Sequence, residues 1–111
     1  MKKIIMTLFA VLAFCLVSSA ATTKSETIVD QGLTRSYYIY LPDNLPADAP
    51  LVFILHGYGG SASSYINNSS LTFKELAEEY KVALCYPQAT TDPKPNTGWN
   101  VYYPWQIDKM K

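Results

Sequence analysis

Leu51-Val52-Phe53-Ile54-Leu55-His56-Gly57-Tyr58-Gly59-Gly60-Ser61 joins five consecutive apolar residues to a glycine-rich turn. Five apolar residues without alternation read as a strand covered on both faces, as in the middle of an α/β sheet. Glycines just after such a strand let the backbone turn sharply and approach a ligand closely. In open α/β sheets, ligands bind at that carboxyl end of the strands. The polar stretch from Ser61 to Tyr65 then fits the start of a helix, whose first N–H groups would face the same crevice.

Downstream, Val82-Ala83-Leu84-Cys85-Tyr86 is a second unalternating apolar run, closed by Pro87. Between the two runs Phe73, Leu76, Ala77 and Tyr80 fall at helical spacing on one stripe. Thr72 and Glu75 fit a capping box at its start. Strand, helix and strand in this order predict a right-handed βαβ unit with parallel strands. Upstream, Thr27-Ile28-Val29 and Arg35 to Leu41 read as two strands around the turn signal Asp30-Gln31-Gly32, with Thr22 to Ser25 as a polar lead-in. Arg35, Tyr37, Ile39 and Leu41 share one side of the second strand; Ser36, Tyr38 and Tyr40 share the other. Asp43 to Pro50 and Asp92 to Asn96 read as loops, and Gly98 to Trp105 is rich in Tyr and Trp. One helix covers one face only, so two strands that want cover on both faces call for further chain or a partner. The expectation is therefore an incomplete sheet.

Composition sets the class. The chain is 49% hydrophobic and 14% aromatic, with nine basic and nine acidic residues, as for one soluble globular core. Lys2 and Lys3, the apolar run Ile4 to Val17 broken only by Thr7, and small Ser18-Ser19-Ala20-Ala21 form the three parts of a secretory signal. The run is shorter than the roughly 20 residues a spanning helix needs. Cleavage after Ala20 and after Ala21 fit equally well. Leu12-Ala13-Phe14-Cys15 ends as a lipoprotein signal would, but Phe14 is larger than lipid transfer favours. A cleaved signal over residues 1–20 is preferred, sending the chain to the periplasm or the medium.

Seven basic and nine acidic residues remain after residue 20, a net of −2, with no patch for nucleic acid or anionic lipid. Cys85 lies in an apolar run and reads as a buried thiol, a disulfide to a cysteine outside these residues being the alternative. One histidine and one cysteine beyond the leader do not make a metal site, and no cofactor is implied.

Acyl transfer needs donors aimed at the oxygen that becomes negative, and backbone N–H groups in a glycine-rich turn can supply them. In α/β-hydrolases one such donor comes from the loop after the third strand. The backbone N–H of Tyr58 is the candidate donor, within a loop formed by His56, Gly57, Gly59 and Gly60. A turn that merely connects strand to helix accounts for the glycines equally well.

A wider pattern bears on that choice. Arg35-Ser36-Tyr37 leads to Tyr40-Leu41-Pro42. Leu55-His56-Gly57 and Gly59-Gly60-Ser61-Ala62 follow, then Tyr86-Pro87-Gln88 and Gly98-Trp99-Asn100. In this order, from Thr27 to Gln106, the chain resembles the secreted esterases of the α/β-hydrolase fold that include poly(3-hydroxybutyrate) depolymerases and feruloyl and acetyl-xylan esterases. The resemblance implies that residues 21–111 are the N-terminal portion of an α/β-hydrolase domain. It also implies a Ser-Asp-His triad whose serine stands in G-x-S-x-G, a motif absent from these residues. In that fold the catalytic histidine comes last in the chain, so His56 is not the general base and takes a structural or oxyanion-loop role. The family likeness further suggests that Trp99 and Asn100 shape the acyl pocket. Simple packing of Trp99, Tyr102, Tyr103 and Trp105 is the alternative. The implied partner is an ester of plant polysaccharide or a polyester. A secreted carbohydrate-binding module, a prolyl-oligopeptidase-type peptidase fragment and an unstable truncated product are the competing readings.

Overall fold

A computed structural model describes residues 18–107, so the charged and apolar parts of the leader, with Cys15, lie outside the described residues. Four strands and two helices follow in the order β1 (Thr22–Asp30), β2 (Leu33–Leu41), β3 (Leu51–Phe53), α1 (Ala62–Ile66), α2 (Phe73–Tyr80) and β4 (Ala83–Pro87). They form one mixed sheet in the order β1-β2-β4-β3, compatible with the α/β class. β1 and β2 pair antiparallel, as do β2 and β4, whereas β3 and β4 are parallel. Among the described residues no helix is long and apolar enough to cross a membrane.

Turn chemistry explains the first pairing. Asp30 faces Leu33 across Gln31 and Gly32, which both take positive φ, 49° and 74°. A two-residue turn with both centres left-handed matches the twist of the strands it joins, and Gly32 adopts it without steric cost. Pairing continues as far as Thr22 opposite Leu41, so the expected polar lead-in is strand. Its residues are exposed throughout, which suits threonine on a sheet edge with no core to fill.

Period-two alternation sorts the sheet into two unlike faces. Tyr40 of β2, Leu84 and Tyr86 of β4 and Ile54 just past β3 point to one side, where Ala62, Ile66 and Ala77 of the helices close a core. Arg35, Tyr37 and Ile39, Leu51 and Phe53, and Cys85 and Pro87 line the other, as the wall of an open cavity of about 590 Å³. Both helices thus lie on one face.

The two apolar strands part company here. β4 is buried over four consecutive residues because it has a neighbour on each side. β3 is shorter than the expected five residues and exposed along its length, Phe53 to 60%, because it stands at the edge of the described sheet. Leu76 and Tyr80 of α2 are exposed beside it, so only Ala77 and, in part, Phe73 of the expected stripe are covered.

α2 occupies the expected residues, but its start differs: Thr72 makes no side-chain capping bond, so the capping box does not form. The helix is fastened at its other end. Glu78 accepts from the Tyr40 hydroxyl at 2.6 Å, from the Asp43 N–H at 3.1 Å and from Lys81 Nζ at 3.3 Å. Lys81, at φ 52°, is the left-handed C-cap, and its ammonium also donates to the Asp43 carbonyl at 2.7 Å. Asp43 and Asn44 in turn hold the start of the described chain. The Ala21 N–H donates to the Asp43 carboxylate, and the Ser19 N–H to Asn44 Oδ1.

The Tyr40 hydrogen bond lowers the Glu78 carboxyl from its ordinary value, while burial first and then that bond raise the Tyr40 phenol. A depressed carboxyl pKa adds stability that is fully present above the unfolded value, near 4.5, and is lost as pH falls through the folded one. Glu78→Gln removes that titration. Its thermal midpoint should therefore fall less steeply than the wild type's as pH drops below 4.5, in a series of melts followed by circular dichroism.

Candidate active site

The glycine turn leaves the carboxyl end of β3 and is held from both neighbouring segments. His56 is buried. Its Nε2 accepts the Ala89 N–H at 3.1 Å, which leaves Nδ1 to carry the proton and donate to the Gly57 carbonyl at 2.8 Å. Both ring nitrogens are engaged by backbone, so the histidine ties the end of β3 to the end of β4 and has no free nitrogen to act as a base. Its carbonyl accepts from Trp99 Nε1 at 2.8 Å, and the two rings lie 5.1 Å apart.

Beyond His56 the turn is anchored by Thr97. The Gly59 N–H donates to the Thr97 carbonyl at 2.7 Å, and Thr97 Oγ1 donates to the Gly60 carbonyl at 2.5 Å. The Gly60 N–H closes back onto the Gly57 carbonyl at 3.0 Å. Gly59 has φ 75°, a conformation that glycine takes readily and most residues do not. A Cβ at Gly60 would lie 3.0 Å from the Gly57 carbonyl. Among the described residues the Tyr58 N–H, like that of Gly57, meets no acceptor, whereas those of Gly59 and Gly60 are both engaged.

α1 begins directly after the turn, and most of its first donors are engaged. Ser61 caps the Ser64 N–H, and Gln88 Oε1 accepts the Ala62 N–H at 2.9 Å. The expected second source of free N–H groups is thus partly closed, its first donor being taken by a side chain from the segment after β4.

The aromatic segment divides in the same way. Trp99 and Asn100 line the 590 Å³ cavity, whereas His56 to Gly60 do not enter its wall. Asn100 is exposed, with Oδ1 accepting the Tyr102 N–H at 3.3 Å. Trp99 bridges the two, with its indole on the His56 carbonyl and its place in the cavity wall, as do Ala89 on the His56 ring and Gly98 beneath Tyr58. Tyr103 and Trp105 stack at 4.7 Å, with Lys94 Nζ 3.8 Å from the Trp105 ring centre. Tyr102 is 79% exposed, so it does not pack a further core layer.

Asp92 carried no functional signal beyond its place in a Pro-containing loop. It is buried and accepts four hydrogen bonds. Oδ1 takes the Lys94 and Asn96 N–H groups at 2.8 and 3.2 Å. Oδ2 takes the Tyr58 hydroxyl at 2.8 Å and the Trp105 indole at 3.0 Å. Burial opposes its charge, but the bonds from Tyr58, Asn96, Trp105 and Lys94 prevail and lower its carboxyl below the ordinary aspartate value. The same contact raises the Tyr58 phenol. Among the described residues no set of three His, Cys, Asp or Glu side chains is placed to hold a metal ion. Cys85 is a free, buried thiol, and burial raises its pKa.

Gly98 gives the Tyr58 ring its seat. A Cβ there would stand 2.8 Å from Tyr58 Cδ2 and 3.0 Å from Cε2, and the ring cannot swing aside without leaving Asp92. Gly98→Ala is therefore expected to destabilise the protein by about 1–3 kcal/mol, the usual cost of overpacking. Urea unfolding measures it, and an unchanged midpoint would mean that the ring is not held there.

No protein-family model matches the chain. It is similar to esterases. Feruloyl esterase B of Talaromyces stipitatus is 32% identical over 76 residues, which are 68% of this chain and 21% of that protein. Feruloyl esterase B of Talaromyces funiculosus is 32% identical over 87 residues, 77% and 24% of the two chains. Acetylxylan esterase A of Talaromyces purpureogenus is 36% identical over 64 residues, 58% and 15%. The chain thus spans between about a seventh and a quarter of the length of these relatives.

Proposed function

We propose that this chain is the oxyanion-loop part of an exported α/β-hydrolase that cleaves carboxylic esters by acyl transfer through a serine. Similarity to feruloyl and acetylxylan esterases supports the ester chemistry. The observation that carries the local role is the Tyr58 N–H, left without an acceptor among the described residues while Gly59 and Gly60 use theirs within the site. A donor already oriented in a braced turn stabilises a developing oxyanion without reorganising as the reaction proceeds. His56 serves that turn as a neutral brace, and Trp99 links it to the cavity that would take the acyl group, with Asn100 on its rim.

β1 and β2 form the leading hairpin of this domain, and β3 to β4 its first βαβ unit. Val52, Phe53 and Leu55, with Leu76 and Tyr80 of α2, form an exposed apolar band that the rest of such a domain would cover. The substrate is an ester decoration of plant polysaccharide or a polyhydroxyalkanoate-type polyester, reached after export and cleavage of residues 1–20. No observation in the fold favours the binding-module or peptidase readings over this one.

The test uses the protein expressed from its natural reading frame, with methyl ferulate, acetylated xylan and p-nitrophenyl acetate as substrates. Hydrolysis together with stoichiometric labelling of one serine by a fluorophosphonate is the expected result. Failure to turn over any of the three esters would overturn the esterase reading.

A further inference from the structure

We propose that Asp92 is a positioning residue, whose buried carboxylate fixes the Tyr58 side chain and so keeps the Tyr58 N–H aimed outward from the turn. The proposal rests on the oxyanion-loop reading above and adds to it the group that sets the loop's geometry. A turn containing Gly57, Gly59 and Gly60 has little intrinsic stiffness, because glycine has access to the widest range of backbone angles. Its shape must then be imposed from outside.

Two of the turn's anchors come from His56, immediately before it, and from the Gly60-to-Gly57 bond within it. The remaining three come from the segment 92–97: Thr97 carbonyl on Gly59, Thr97 hydroxyl on Gly60, and Asp92 on the Tyr58 phenol. That segment is itself folded around Asp92. The Asp92 N–H donates to the Asn96 carbonyl at 2.7 Å, and Oδ1 takes the Lys94 and Asn96 N–H groups in return. One carboxylate therefore organises the bracing loop with one oxygen and grips the braced residue with the other.

Tyr58 shows why the grip is needed. The residue is 51% exposed and its ring rests on Gly98, so apolar burial holds it only in part. The hydroxyl bond to a buried acceptor supplies the direction that packing leaves open. Charge matters too: an ionised carboxylate accepts stronger hydrogen bonds than a neutral amide, and an asparagine cannot accept both the phenol and the indole through its NH₂ group.

The test is a double-mutant cycle of Asp92→Asn and Tyr58→Phe in the protein expressed from its natural reading frame. Each single variant is expected to lower kcat for p-nitrophenyl acetate roughly tenfold with little change in KM, since a misplacement of about 1 Å can cost up to ~100-fold. The double variant should lose no more than either single one, because both cut the same contact. Additive losses, or a loss confined to KM, would overturn the proposal.

Amide hydrogen exchange separates this claim from the esterase reading, because it needs no turnover. In Asp92→Asn the Gly59 and Gly60 amides should exchange at least several-fold faster than in the wild type, while Leu84 in β4 keeps its rate. Unchanged exchange at Gly59 and Gly60 would overturn the positioning role. A wild type that hydrolyses no ester but shows the exchange effect would overturn the esterase reading and leave the brace standing. Acceleration at Leu84 equal to that at Gly59 would reduce Asp92 to a general stabiliser and also overturn the proposal.

Discussion

Tyr58→Pro, made in the protein expressed from its natural reading frame, is expected to lower kcat for ester hydrolysis by roughly 10²–10³-fold, the usual cost of removing one oxyanion donor. Proline has no N–H, so the substitution deletes a donor of the turn that meets no acceptor among the described residues. It also deletes the phenol that reaches Asp92. Tyr58→Ala separates these effects, because it loses the ring and keeps the N–H. Alanine should fall about tenfold, in line with loss of positioning alone, and proline well below that. KM should move little in either, since the donor acts on charge that develops only in the transition state. Steady-state kinetics on p-nitrophenyl acetate, with circular dichroism to confirm the fold, decides the matter. Equal losses for proline and alanine would remove the Tyr58 N–H from the mechanism.

Tyr86→Ala should destabilise the protein by about 3–5 kcal/mol, as removing a buried aromatic ring typically does. Tyr86 is 1% exposed and lies in the core cluster with Ile54, Ala62, Ile66 and Leu84. Its strand has a neighbour on each side, so the cavity would open where the sheet and the helices meet and where little can collapse to fill it. Against a usual total of about 5–15 kcal/mol, that loss leaves a small domain close to unfolding. Tyr86→Phe keeps the ring and should cost under about 1.5 kcal/mol. Urea unfolding of the two variants measures the difference, and a cost for alanine below about 1 kcal/mol would place the core's centre elsewhere.

Particular residues show what the chain's pattern makes legible. Gln31 and Gly32 form a turn because left-handed backbone has a strong local preference for glycine. Phe73 to Tyr80 is helical and Arg35 to Leu41 is strand because the spacing of their apolar residues matches one period and not the other. Thr22 to Glu26 escaped this reading, having no apolar side chain to mark a face; only the pairing with Tyr37 to Leu41 makes them strand. The capping box at Thr72 and Glu75 fitted its pattern and still did not form, because capping depends on the dihedral angles of one residue as well as its type.

The position of the turn directly after an apolar strand was equally legible, since it needs only neighbouring residues. Its bracing was not. Asp92 reaches Tyr58 across 34 residues and Trp99 reaches His56 across 43, distances over which no periodicity carries information. The order of the strands has the same character. Leu51 to Leu55 and Val82 to Tyr86 are alike as strings, yet one lies at the edge and the other inside. Local chemistry was enough to say which segments become strand, helix and turn, because propensity and periodicity belong to the segment itself. Burial of β4, exposure of β3 and the carboxylate beneath Tyr58 were settled by the path of the chain, because each depends on which distant residue arrives alongside.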